Sequence, residues 1–180
     1  MYFLRIIVST VITVGLGFGG YAYWLMDEIR QQHAISTENS LIDISNILAS
    51  HLSSKVKDGV IDTSDFDKTF NNLKKYRFKA VIHGFVIRTS DVNAYVTDAN
   101  KVVIYDSRSK DNIGKTYSWR DVNLTLEGKY GARSTQENRN DELSHVFYVG
   151  SAIRSKGPLG VESIIGAVSV SKPTESFNSF

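Results

Sequence analysis

The stretch AYVTDANKVVIYDSRSKDNIGKTY, residues 94–117, reads as a hairpin with a long polar tail. Ala94–Thr97 and Val102–Tyr105 are short, apolar and rich in β-branched or aromatic residues. Asp98-Ala99-Asn100-Lys101 between them is turn chemistry. Residues 106–118 are polar and predict a loop. Upstream, Ala80–His83 and Phe85–Thr89 are also strand-like, with Gly84 predicting a bulge or bend. Downstream, Trp119–Glu127 predicts a short helix with Trp119, Val122, Leu124 and Leu126 at apolar positions, ended near Gly128. Three further strands follow, Lys129–Thr135, Ser144–Ile153 and Val161–Val170, the last two joined by a turn containing Gly157, Pro158 and Gly160. Lys172-Pro173 stops the sheet, and Thr174–Phe180 reads as the start of another helix. Strands joined by short turns imply a mostly antiparallel sheet flanked by helices, an α+β layout.

Ahead of the strands the period is helical. Leu41, Ile44, Leu48 and Leu52 fall at i, i+3, i+7 and i+11, one stripe of a long helix running from Asp27 to about Val56. That stripe serves either its own domain alone or a dimer seam as well. Ser64-Asp65-Phe66-Asp67 resembles a capping box, and the short helix after it is expected to bury Phe66, Phe70 and Leu73. Nearer the N-terminus, Ile6–Met26 runs 21 residues without a charge. As a helix that is about 31 Å, enough to cross a hydrocarbon core. Arg5 precedes the span and Asp27-Glu28 follow it, so the N-terminus is expected in the cytoplasm and residues 27–180 outside. Tyr21, Tyr23 and Trp24 suit the outer headgroup level. A cleaved signal peptide is the rival reading, but it normally has a shorter apolar core and a small-x-small site. Gly15 and Gly19 make a GxxxG pattern, joined by Ser9 and Thr13, which permits close helix pairing in a membrane.

Composition narrows the function. A net charge of +2 and the lack of any basic stripe argue against nucleic acid. The absence of cysteine removes disulfides, thiolate chemistry and Cys-based metal sites. His33, His51, His83 and His145 form no HExxH-like spacing, and no GxSxG is present, so neither a metal site, a cofactor nor catalysis is expected.

The order strand, D-x-x-x turn, strand, Asp-Ser and Ile-Gly-Lys within residues 94–117 resembles extracytoplasmic PAS-like (single Cache) sensor domains. LTLEGKYGARST at 124–135 and GAVSVSKP at 166–173 are similar to the sensor region of CreC-type sensor histidine kinases. The resemblance implies a bacterial inner-membrane protein: a membrane helix at 1–26, a periplasmic sensor domain at 27–172, and at 173–180 the start of a helix leading to a second span. It also implies a homodimer whose cytoplasmic kinase, beyond Phe180, passes the signal to a response regulator. The same kind of sensor domain also occurs in chemoreceptors and cyclic-dinucleotide enzymes. A pilin-like structural protein is a further alternative, disfavoured by Arg5 and by the lack of an acidic residue before Asp27.

A sensor of this kind needs fixed donors for a small, anionic ligand, and an arginine fork supplies them. Arg133 lies in a predicted strand among Gly131, Ala132 and Ser134, small neighbours that leave room for it to enter a pocket. Its alternative is an ion pair with Asp141 or Glu142. Tyr130, Ser134, His145 and Tyr148 are candidates to line the same cavity, Trp119 to close it, and Arg88 is a weaker candidate at a strand end. Dicarboxylate sensors of the CitA type carry an Arg and a His in the segment matching Val102–Ser107. Here that segment reads Val-Val-Ile-Tyr-Asp-Ser, which argues against a citrate-like ligand.

Overall fold

The structure, a computed structural model, describes residues 2–75, 80–82, 85–87, 90–136, 144–157 and 160–173. Helix α1 spans Tyr2–Ser54, and the chain divides within it into two compact units, Met1–Asn39 and Ser40–Phe180. In the first unit, Tyr2–Met26 is a 25-residue stretch long and apolar enough to cross a membrane, and none of it is buried. A Cβ added at Gly15 or Gly19 would meet nothing within 4 Å.

The second unit is α+β. Its sheet has five antiparallel strands in the order β4-β3-β7-β6-β5: β3 Asn93–Asp98, β4 Val103–Asp106, β5 Gly131–Gln136, β6 His145–Lys156 and β7 Glu162–Pro173. The hairpin turn forms as its residues dictate. Asp98 Oδ1 accepts the backbone N–H groups of Asn100 and Val102, at 2.9 and 2.8 Å, while Lys101 takes φ +67°. Strands β1 Ala80–Ile82 and β2 Phe85–Ile87 do not continue this sheet. They pair with one another, Val81 opposite Val86, in a separate two-stranded sheet.

Alternation along the strands gives the sheet two unlike faces. On one, Ala94, Val96, Val149, Ile153, Val168 and Val170 pack against Leu41 and Leu52 of α1 and against Phe66 and Phe70 of α2, Ser64–Lys75. Ile44, Leu48 and Leu73 pack on this cluster, so the helical stripe read from the sequence is used by the domain's own core. Leu41, 1% exposed, is buried in this cluster. The start of α2 corrects the expected capping box. Ser64 is already helical, and its backbone N–H donates to Asp62 Oδ1 at 3.0 Å, because an Asp two residues upstream reaches that amide first. The Ser64 hydrogen bonds hold the Asp62 carboxyl below its usual pKa.

The other face carries α3, Arg120–Leu126, seven residues ended by Gly128 at φ +75°. Its buried side is Asp121, Val122 and Thr125. Helix and sheet approach closely because Gly131 and Gly150, opposite one another on β5 and β6, lack side chains. A Cβ on Gly131 would lie 2.2 Å from the Asp121 carbonyl oxygen, and one on Gly150 would lie 2.4 Å from Thr125 Oγ1. The segment Thr174–Phe180, expected to begin a helix, lies outside the described residues.

Candidate functional site

The strand register assembles a polar row on the α3 face. Arg133 stands opposite Tyr148, Tyr148 opposite Ser171, and Ser171 opposite Asn93. The next row is Gly131, Gly150, Ser169, Tyr95 and Asp106. The loop after β4 folds back to wall in the first row. Val103 accepts from Gly114 N–H at 2.8 Å, Val103 N–H donates to Lys115 at 2.9 Å, and Gly114 turns the chain at φ +87°. Ser109 Oγ caps the short 3-10 helix Lys110–Asn112 by accepting from Asp111 N–H. Asp106 braces the loop, its Oδ1 accepting Arg108 N–H at 2.7 Å and its Oδ2 the Asn112 amide at 2.8 Å. The result is a recess of about 100 Å³ whose lining includes Arg108, Asn112, Tyr117, Trp119, Arg133 and Tyr148.

Behind the recess lies a buried polar joint. Asp121 has no solvent exposure, and Arg133, with 13% of its side chain exposed, donates Nε–H to Asp121 Oδ1 at 2.8 Å. Asp121 Oδ2 accepts from the Tyr95 hydroxyl and from Ser169 Oγ, the latter at 2.6 Å. Burial first, and the Asp121 charge second, push the Tyr95 phenol well above its ordinary pKa. Burial opposes the charge on Arg133, but the Asp121 carboxylate outweighs it and raises the guanidinium further. Arg133 Nη1 also donates to Thr135 Oγ1. Its Cζ lies 3.5 Å from the Tyr148 ring centroid and 4.9 Å from that of Trp119, so two aromatic rings hold the fork. Arg108 reaches the same tyrosine. Its Nη1 donates to Tyr148 Oη at 3.0 Å and its Nη2 to Ser171 Oγ at 3.2 Å, with Cζ 5.5 Å from the ring centroid. Burial raises the Tyr117 phenol, while Tyr105, below the sheet and donating to the Phe66 carbonyl, is pushed up to about 12 by burial and then by Asp67 and Asp106.

Of the candidates read from sequence, Arg133, Tyr148 and Trp119 meet at the recess. Ser134 and His145 do not. They hydrogen-bond to each other at 3.2 Å, and strand alternation turns Ser134 away from Arg133. Tyr130, 54% exposed, is not part of the lining. Arg88, and the acids Asp141 and Glu142 weighed as partners of Arg133, lie outside the described residues. Within them, the acid that pairs with Arg133 is Asp121. Sequence reading missed Asp121, Tyr95 and Arg108. A signal existed for the first: Asp121 and Thr125 sit at i and i+4, one face of a helix beside the apolar Val122. No group of three or more His, Asp or Glu able to hold a metal occurs among the described residues.

Fold and site together define a small α+β domain with a cation-lined recess, in a chain that begins with one membrane-length apolar helix. Over 173 residues, 96% of its length, the chain is 34% identical to the sensor protein CreC of Escherichia coli (strain K12). It spans about a third of that relative, 34% of its length. No family model matches the chain. The relationship makes this a region related to a sensor protein of that kind.

Proposed function

We propose that this chain is the extracytoplasmic signal-sensing portion of a membrane-bound, two-component sensor histidine kinase, with a PAS-like, single Cache fold. The observation that carries the proposal is the similarity to the sensor protein CreC along 96% of the chain, which takes in both the apolar helix and the sheet domain. On this reading residues 1–26 span the inner membrane with Arg5 inside, and 27–172 form the periplasmic domain. Residues 173–180 lead towards a second span. The recess beside Arg133, Tyr148 and Trp119 receives a small anionic ligand. Occupancy reaches a cytoplasmic kinase and its response regulator through the membrane helices of a homodimer, with Gly15 and Gly19 at the helix contact.

A chimera tests it. This chain replaces the matched third of the E. coli sensor protein CreC, and a reporter of kinase output is read across growth media. Output should change with medium in the chimera and become insensitive when residues 40–173 are deleted. An output that is the same with and without those residues refutes a sensing role.

A further inference from the structure

We infer that α3 is a switch helix, released from the sheet when a small carboxylate in the recess takes Arg133 from Asp121. The inference rests on the proposal above that the recess is a ligand site, and it names the ligand class and the part that moves. One guanidinium serves two places. Arg133 lines the recess, and the same side chain donates Nε–H to Asp121 Oδ1 on α3. Trp119, the N-cap residue of α3, also lines the recess, its ring centroid 4.9 Å from Arg133 Cζ. The start of α3 therefore borders both the cavity and the cation that holds the helix down.

The rest of the α3 seat is poorly satisfied. Among the described residues, the buried side-chain oxygens with no hydrogen-bond partner in the protein are Thr97 Oγ1, Asn123 Oδ1 and Thr125 Oγ1. Two belong to α3, and Thr97 follows Tyr95 by two residues on β3, on the sheet face that carries the helix. Each gains a partner once water reaches it, which offsets part of the packing lost when α3 lifts. The helix has seven residues, too few to be stable alone, and its N-cap makes no side-chain bond. An anion in the recess acts on the pair that remains. A carboxylate presents the same two oxygens as the Asp121 side chain, so it competes for the same fork. As Arg133 turns to it, Asp121 is left an unmatched charge with no solvent exposure, the costly state of a broken buried pair. Movement of α3 away from the sheet carries Asp121 into water. The ligand favours the released helix because Arg133 is available there and held by Asp121 in the seated one. A cavity of about 100 Å³, against roughly 300 Å³ for drug-sized molecules, limits the occupant to a carboxylate of a few heavy atoms.

The test uses the full chain in detergent micelles, with sodium formate as probe, inorganic phosphate as a second anion and sodium chloride at matched ionic strength as control. Kd is read from Trp119 fluorescence in a Trp24→Phe background, and helix release from amide hydrogen exchange over residues 119–127. Formate should bind saturably and speed exchange in α3, leaving α2, on the opposite face of the sheet, unchanged. Asp121→Asn removes the competitor, so it should tighten the formate Kd about tenfold or more. It should also speed α3 exchange before any formate is added. Glu127→Gln removes an exposed acid at the far end of α3 and should leave the Kd within about twofold of wild type. Formate binding that slows α3 exchange or leaves it unchanged, or that weakens in Asp121→Asn, overturns the switch and leaves the recess standing as a ligand site. A response to phosphate but not to formate overturns the carboxylate class. No saturable response to either anion, in wild type and in Asp121→Asn, takes down the anion-site reading as well. If Asp121→Asn does not fold, the direction of the exchange change in the wild-type chain decides.

Discussion

Replacing Asp121 by Asn keeps the shape of the joint between α3 and the sheet and removes its charge. Arg133 then keeps its charge with 13% of its side chain exposed, and the hydroxyls of Tyr95 and Ser169 lose an anionic acceptor. Breaking a buried pair by removing one partner costs roughly 3–5 kcal/mol. Arg133 borders the recess and can turn towards water there, so the lower end applies, about 3 kcal/mol. For a domain of this size that lowers the melting temperature by on the order of 10 °C. The reverse substitution, Arg133→Met, strands a carboxylate with no exposure at all, so it should cost more, about 4–5 kcal/mol. Combining the two removes both charges, and the double variant should recover about 2 kcal/mol or more relative to the sum of the single costs. Thermal and urea unfolding of the four proteins, followed by near-ultraviolet circular dichroism, measures the cycle. Strictly additive costs, or an Asp121→Asn penalty below about 1 kcal/mol, would refute the view that this pair locks α3 to the sheet.

Burial and Asp121 raise the Tyr95 pKa, so the folded chain keeps a proton that an unfolded tyrosine releases above about pH 10. The stability tied to that proton is intact below pH 10 and lost as pH rises beyond it. The advantage of wild type over Tyr95→Phe in urea unfolding should therefore shrink by up to about 1.4 kcal/mol per pH unit between pH 10 and 11. A constant difference across that range would contradict the buried Tyr95–Asp121 contact. Gly131→Ala drives a Cβ into a backbone carbonyl and should cost about 1–3 kcal/mol whatever occupies position 125. Gly150→Ala chiefly meets the Thr125 hydroxyl, so Thr125→Ala should rescue it in part. Equal rescue of both glycine variants would show that α3 does not sit as described.

The elements set by local pattern were legible in the sequence. Alternation and turn residues placed the β3–β4 hairpin and strands β5 to β7 within a few residues, and the stripe from Leu41 to Leu52 marked the helix face that meets the sheet. Partnership between distant segments was not legible. Val81 and Val86 look like strand residues in any sheet, and only three-dimensional pairing separates their small hairpin from the main one. Arg133 stood out because small residues flank it, yet Asp121, the acid that pairs with it among the described residues, was not among those considered. Asp121 reads as a solvated charge near a helix start until Gly131 and Gly150 are seen to draw that helix onto the sheet. Arg108 sits in a polar loop whose fold depends on backbone bonds to Val103, and no side-chain pattern announces those.

The proposed sensing role requires residues 27–180 to face away from the cytoplasm, and the chain contains no cysteine to confuse a labelling experiment. Single cysteines at Tyr2, the N-terminal end of the apolar helix, and at Lys110, 77% exposed on the recess loop, report the two sides. In intact bacterial cells treated with a maleimide that does not cross the inner membrane, Lys110→Cys should label fully. Tyr2→Cys should label only after that membrane is permeabilised. Protection of Lys110→Cys in intact cells, together with labelling of Tyr2→Cys, would put the domain in the cytoplasm and contradict the proposal that it is an extracytoplasmic sensor.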